Sequence, residues 1–261
     1  MFLFQIILIA AQFAASLYFY PSLPSVMPTH WNVYGNIDSY MPKQYAVWMM
    51  PLLVLFMFIS FKIAPSFDPK KNKYQLFSTE WQILQTVFII FFAYMQGITF
   101  YAAYNPSLII MKPMFIGLGT LFILLGNYLS KIRQNYFIGI KVPWTLESED
   151  NWNKTHRFAS WTFVIAGIIV LVEAFFIWQA APIVFGSLML GSFLPVLYSY
   201  LLFKNKQHYM KRILLGLLLL VVLLIGIRTI SGEDDWICKN GKWVMHGKPS
   251  TRKPTIPCKV R

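Results

Sequence analysis

Apolar residues fall along this chain in long unbroken blocks, not at the alternate spacing of a half-buried strand. Blocks of about 18 or more residues, enough to cross roughly 30 Å of hydrocarbon, recur at about 2–20, 46–64, 82–104, 109–130, 159–181, 183–203 and 213–230. Inside hydrocarbon the backbone has no water to bond, so each block predicts a helix. The pattern predicts an all-α polytopic integral membrane protein of about seven transmembrane helices with a small C-terminal tail. The first block lacks a basic leading region and is followed by no small-residue cleavage site, so it reads as a retained span.

The polar intervals divide the chain further. Residues 1–64 form a two-span module around an external loop at 21–45. Residues 65–212 form a four-span segment around a polar loop at 131–158, followed by an extra span at 213–230 and a tail at 231–261. With 57% hydrophobic and 18% aromatic residues, little is left for a water-soluble core. The net charge of +13 sits in membrane-flanking loops, where it points to the anionic headgroups of the lipid bilayer and argues against direct nucleic-acid binding.

Lys and Arg gather after the second, fourth and sixth blocks: Lys70, Lys71 and Lys73, then Lys131, Arg133, Lys141, Lys154 and Arg157, then Lys204, Lys206, Lys211 and Arg212. The positive-inside rule makes these connections cytoplasmic. The amino terminus and the C-terminal tail are both expected on the extracytoplasmic side.

The longest polar interruption, Lys131 to Arg157, mixes basic residues with Tyr136, Phe137, Trp144 and Trp152. Gly139 and Pro143 set its backbone, and Ser148 followed by Glu149 and Asp150 reads as a helix N-cap with acids in the first turn. A short interfacial helix over about 149–157 is expected to run into the next span, with its aromatics at headgroup depth. In order along the loop stand Asn135, Gly139-Ile140, Pro143-Trp144-Thr145-Leu146, Ser148, Trp152 and His156-Arg157. This series resembles the signature of the SdpI-type membrane proteins, with Lys141-Val142 where Arg-Thr is expected.

Pro21 to Lys43 is the second informative stretch. Its prolines and lack of periodicity predict an ordered irregular loop, with Gly35 and Asp38 at turns. His30-Trp31-Asn32, Gly35, Asp38 and Pro42-Lys43 resemble a module of unassigned role that commonly precedes the SdpI-type segment. His30 and Asp38 are too few for a metal site, and a hydrogen-bonded external recognition loop is the better reading. The interval of about 65–80 reads as a solvated link.

Polar residues inside the spans read first as packing devices. Gln82, Gln85, Gln96 and Thr99 share one helix face and are expected to turn into the bundle. Gly117, Gly119, Gly126, Gly186 and Gly191 read as close-packing surfaces. Glu173, deep in an apolar block, is expected to pair with Lys112 or Arg228 at similar depth. In the tail, Asn240-Gly241 between Trp236-Ile237 and Trp243-Val244 signals a hairpin. Cys238 and Cys258 are expected to form a disulfide; zinc, with His246, is the alternative.

The resemblance implies a non-enzymatic immunity and signalling protein of the bacterial cytoplasmic membrane, with no cofactor. It implies protection against a secreted peptide toxin outside, and retention of a transcriptional repressor inside. Recognition would then fall on Pro21–Lys43 and repressor contact on Lys131–Arg157. The alternative is a small-solute or proton-coupled transporter, or a membrane-embedded enzyme, working through Glu173, the glutamine face, or His30 and Asp38.

Overall fold

The computed structural model describes residues 1–32, 35–106, 110–176, 180–230, 236–245 and 252–258; within the last helix, side chains 180–181, 206–214, 217–218 and 220–230 are outside that description. The chain separates into two compact units, Met1–Phe203 and Lys204–Arg261.

In the first unit each apolar block is a helix, as the hydrocarbon argument requires. Helix α1 (Phe2–Phe19) leads to strands β1 (Val26–Trp31) and β2 (Ile37–Pro42), then α2 (Lys43–Phe67). A 3-10 turn at Lys71–Phe77 enters α3 (Ser78–Tyr104), followed by α4 (Met111–Leu129). A short α5 (Pro143–Glu147) precedes α6 (Glu149–Phe176) and α7 (Ala180–Ile230). Among the described residues six helices are long and apolar enough to cross a membrane, and the chain is a multi-pass membrane protein. The two expected blocks at 183–203 and 213–230 both lie in α7, and the polar interval between them, expected as a connection, is helical too.

Helices α4 and α6 make the closest pair, because glycine removes the side chains between them. A Cβ on Gly119 would fall 2.8 Å from the Gly167 carbonyl, and one on Gly167 would fall 2.6 Å from the Gly119 carbonyl. Gly126 lies equally close to the Ser160 carbonyl. Gly191 packs against Ala166, whereas a Cβ on Gly186 meets nothing within 4 Å, so Gly186 is not a packing glycine.

The glutamine face of α3 turns inward and meets a matching face of α1. Gln96 Nε2 donates to Ser16 Oγ and to the Gln12 carbonyl. Gln5 Nε2 donates to the Gln82 carbonyl and Thr86 Oγ1. Gln5, Gln12 and Ser16 are all buried, at spacings of seven and four that place them on one helical stripe.

Alternation of the helices gives the unit two ends. Loop 20–42 lies at one, beside the end of α3, where Ser22 Oγ and Tyr104 OH are 2.6 Å apart. Loop 130–148 lies at the other, beside the end of α2 and the start of α3. The first turn of α1 belongs to this second end, with Phe2 stacked on Phe58 of α2. An extracytoplasmic amino terminus is therefore incompatible with a cytoplasmic 131–158 loop; the two share one end.

The second unit carries a hairpin of β3 (Trp236–Lys239) and β4 (Lys242–Met245). Asn240 and Gly241 both take positive φ, 52° and 76°, as a tight two-residue hairpin turn requires. Cys238 and Cys258 form the disulfide, which occupies the sulfurs that a zinc site would need. Trp243 Nε1 donates to the Ile256 carbonyl, a further tie between hairpin and terminal segment.

Candidate functional site

The loop at 130–148 is built inward from its polar side chains. Asn135 Oδ1 accepts from the backbone N–H groups of Phe137 and Ile138, at 2.8 Å each. Its Nδ2 donates to the carbonyls of Arg133 and Ile138. Such local bonding lets an Asx residue hold a turn without secondary structure. Gly139 then takes a φ of 111°, which turns the Ile140 N–H onto His156 Nε2 at 3.0 Å. The other ring nitrogen of His156 donates to the Trp152 carbonyl at 2.8 Å. One nitrogen accepts and the other donates, so the ring is the neutral Nδ1–H tautomer.

Pro143 opens α5 with its φ already helical. Thr145 Oγ1 donates to the Ile140 and Val142 carbonyls and accepts from the Val142 N–H. Gln134 Nε2 donates to the carbonyls of Thr145 and Leu146. Ser148 caps α6, its Oγ accepting from the Asn151 N–H at 3.3 Å, and the helix runs unbroken through 149–157 into the span.

Two of the aromatics pack against the protein itself. Trp152 is completely buried, with its ring stacked on His156 and its Nε1 donating to the Ile132 carbonyl. Trp144 docks on α7, its Nε1 donating to Ser199 Oγ at 2.8 Å and its ring lying against Phe203. Asn151 Nδ2 donates to the Ser199 carbonyl, so α5 and the first turn of α6 grip the same residue of α7.

The interval of 65–80 is not a solvated link. Asp68 is only 2% exposed. Its carboxylate accepts from the Lys70 N–H, the Tyr74 hydroxyl and the Tyr136 N–H, at 2.7, 2.8 and 2.9 Å. Three donors satisfy a buried charge that would be costly alone. Lys70 Nζ donates to Gln134 Oε1 and to the Leu146 carbonyl, and Lys73 pairs with Glu149. Burial, with the neighbouring Lys73 charge, holds the Lys70 ammonium below the ordinary lysine pKa, against the pull of Glu149 and Asp68. The two polar intervals are thus one assembly. Asp68, Lys70, Gln134 and His156 carry it; the sequence singled out His156 only within the signature series and Lys70 only as a basic flanking residue, and gave Asp68 and Gln134 no role.

What faces outward is different in kind. Lys131, Arg133, Tyr136, Phe137, Lys141 and Arg157 are exposed, giving this end a basic and aromatic surface over a hydrogen-bonded interior.

At the opposite end, loop 20–42 is a hairpin and not an irregular loop. Its ladder pairs Pro28 with Tyr40, His30 with Ser39 and Trp31 with Ile37, leaving Thr29 and Asp38 without a cross-strand partner. This bulge brings the His30 Nδ1 to 2.5 Å from Asp38 Oδ1, both side chains exposed. Asn32 and Gly35 form the turn: the Gly35 N–H donates to the Asn32 carbonyl and the Asn36 N–H to Asn32 Oδ1, with φ of 81° at Gly35. Met27, wholly buried, and Trp31 anchor the hairpin on α3. Lys43 Nζ donates to the Tyr20 and Leu23 carbonyls and closes the loop on its own base.

Of the two expected partners of Glu173, Lys112 does not pair with it. Among the described residues Glu173 has no salt bridge; its Oε2 is buried without a partner. The Lys112 ammonium lies over the Phe175 ring at 5.2 Å instead. The Arg228 side chain and His246 lie outside the described residues.

Comparison with known proteins adds two family segments. Residues 131–199 match the SdpI/YfhL protein family, and residues 7–55 match a domain of unknown function (DUF1648). The immunity protein SdpI of Bacillus subtilis (strain 168) is 29% identical over 173 residues, covering 66% of this chain and 80% of the relative. No solved structure matches.

Proposed function

We propose that this chain, an SdpI-type membrane protein, is an immunity protein that protects against a secreted antimicrobial peptide and reports the encounter across the membrane. The observation that carries the reading is the placement of its two family segments. The DUF1648 segment holds the hairpin at one end of the helices, and the SdpI/YfhL segment holds the 130–148 assembly at the other. The hairpin end lies outside and offers the exposed His30–Asp38 pair, with Trp31, Asn32, Gly35 and Lys43 fixing its shape. The other end lies in the cytoplasm with the amino terminus and offers the basic, aromatic surface to a repressor. Asn135, Gly139, Pro143, Thr145 and Trp152 hold that surface rigid, while Arg157 belongs to it. A transporter path along the glutamine face has less support, because Gln96 is spent on bonds to α1.

The test is a survival assay against candidate peptides, combined with a repressor-controlled reporter, on variants matched for membrane abundance. His30→Ala with Asp38→Ala is expected to impair survival. Arg157→Ala with Lys141→Ala is expected to impair the reporter response while sparing survival, because both residues are exposed and hold up little of the assembly. Equal damage to both outputs from both pairs would defeat the division of labour. Full survival of a deletion strain against every peptide tried would defeat the immunity reading.

A further inference from the structure

The polar residues at the signature-loop end leave one site unexplained by immunity or signalling. The first turns of α1 and α3 and the last turns of α2 enclose a crevice of about 340 Å³. Phe2, Phe61 and Trp81 form apolar walls, and Lys62, Gln82 and Gln85 stand among the polar residues that line it, with Tyr74, Gln75 and Ser78. Gln85 is 1% exposed, yet among the described residues neither its Nε2 nor its Oε1 has a hydrogen-bond partner. A buried amide left unmatched at both ends is a rare and costly arrangement, and it lines an open space.

Lys62 stands at the same crevice with its charge only partly used. Its Nζ donates to Gln5 Oε1 at 3.3 Å and lies 5.1 and 5.0 Å from the rings of Phe2 and Phe58. An ammonium has three protons to give. Among the described residues no carboxylate lies within salt-bridge distance of it, and no other charged side chain lines the crevice. A cation without a counter-ion, a neutral amide with both ends free and aromatic walls together describe a receptor for an amphiphile with an anionic head. Lys62 lies within the last two turns of its span, at the depth where a lipid headgroup meets its acyl chains.

We propose that this crevice binds the phosphodiester headgroup of an anionic glycerophospholipid. Lys62 neutralises the phosphate, the Gln85 amide donates to it, and an acyl chain runs along Phe2, Phe61 and Trp81. The site is separate from general attraction of basic loops to the bilayer, since it depends on one buried amide and one lysine inside a span. A choline headgroup would bring a second cation beside Lys62 and is disfavoured.

Thermal unfolding of the full chain, stripped of lipid in neutral detergent, tests this. Phosphatidylglycerol is expected to raise Tm by several degrees, while phosphatidylcholine with the same acyl chains and inorganic phosphate each leave it unchanged. Lys62→Gln is expected to keep the lipid-free Tm and lose most of the phosphatidylglycerol shift, whereas Lys154→Gln, at an exposed site elsewhere, keeps it. Gln85→Leu should lose the shift too; should that variant not fold, Lys62→Gln alone decides. An equal shift with phosphatidylcholine, or one undiminished in Lys62→Gln, would overturn the proposal. An equal shift with inorganic phosphate would show an anion site that does not select lipid, and would overturn it as well.

Discussion

Gly139 shows how much of the site hangs on single residues. Its φ of 111° is open to glycine and strained for any L side chain, and a Cβ there would also run into His156 Nε2 and the Trp152 ring. Both neighbours are fixed by their own hydrogen bonds and have no room to give. Gly139→Ala is therefore expected to cost roughly 2–4 kcal/mol, combining backbone strain with overpacking, read as a fall in the denaturant midpoint in detergent. An unchanged midpoint would mean that the Ile140–His156 bond contributes little. The sequence marks Gly139 as a backbone-setting residue but does not reveal its partner. Asp68 was harder still: an acid in a basic interval looks solvated, and only the fold brings the Tyr136 N–H and the Tyr74 hydroxyl onto it. The packing partners of Trp144 and Trp152 were hidden for a related reason. An amphipathic ring suits a headgroup interface and a hydrogen-bonded core equally well, and composition does not say which one it meets.

Among the elements, the spans were legible because hydrocarbon imposes length and continuity on every helix. The inner faces were legible in part. Spacing put Gln82, Gln85 and Gln96 on one side of α3, and the same test applied to Gln5, Gln12 and Ser16 would have marked the matching stripe on α1. Glycine was less informative, since an unneeded glycine and a packing glycine look alike in sequence. The α4–α6 pair separates the two cases. Gly167→Val would press its side chain onto the Gly119 carbonyl and the Ile123 N–H, which are backbone atoms that move only with the whole helix. It is expected to destabilise by roughly 2–4 kcal/mol or to part the helices, whereas Gly97→Ala, with nothing within 4 Å, should be neutral or gain up to about 1 kcal/mol from helix propensity. Paired chemical unfolding of the two variants checks this, and similar losses in both would show that glycine here serves flexibility and not close approach. The hairpin at 20–42 escaped sequence reading because its strands carry prolines and a bulge, which break the alternation by which strands are recognised.

At the scale of the molecule the open question is which end faces out, and it has a sharp answer by labelling. The positive-inside rule predicts Asn72 and Ser148 on the cytoplasmic side, and the geometry of α1 puts the amino terminus at the same end as both. Single cysteines ahead of Met1 and at Asn72, Ser148 and Ser39, each in a Cys238→Ser, Cys258→Ser background, are expected to react with an impermeant thiol reagent in intact cells only at Ser39. Reaction ahead of Met1 but not at Asn72 would break the shared end seen in the fold, and reaction at Asn72 would invert the whole protein. The tail tests a harder conflict. Helix α7 spans both apolar blocks, 183–203 and 213–230, with no break assigned at 204–212. The Cys238–Cys258 disulfide, however, persists only on the oxidising side of a plasma membrane. The chemical demand is the stronger of the two, since a helix that runs out of hydrocarbon at a basic stretch can bend there, while a reducing cytosol leaves cysteines as thiols. Lys253→Cys is accordingly expected to label from outside together with Ser39→Cys. Protection of Lys253→Cys in intact cells, with both native cysteines of the unaltered chain found free on alkylation before reduction, would place the tail inside and make 213–230 a continuation of the sixth crossing.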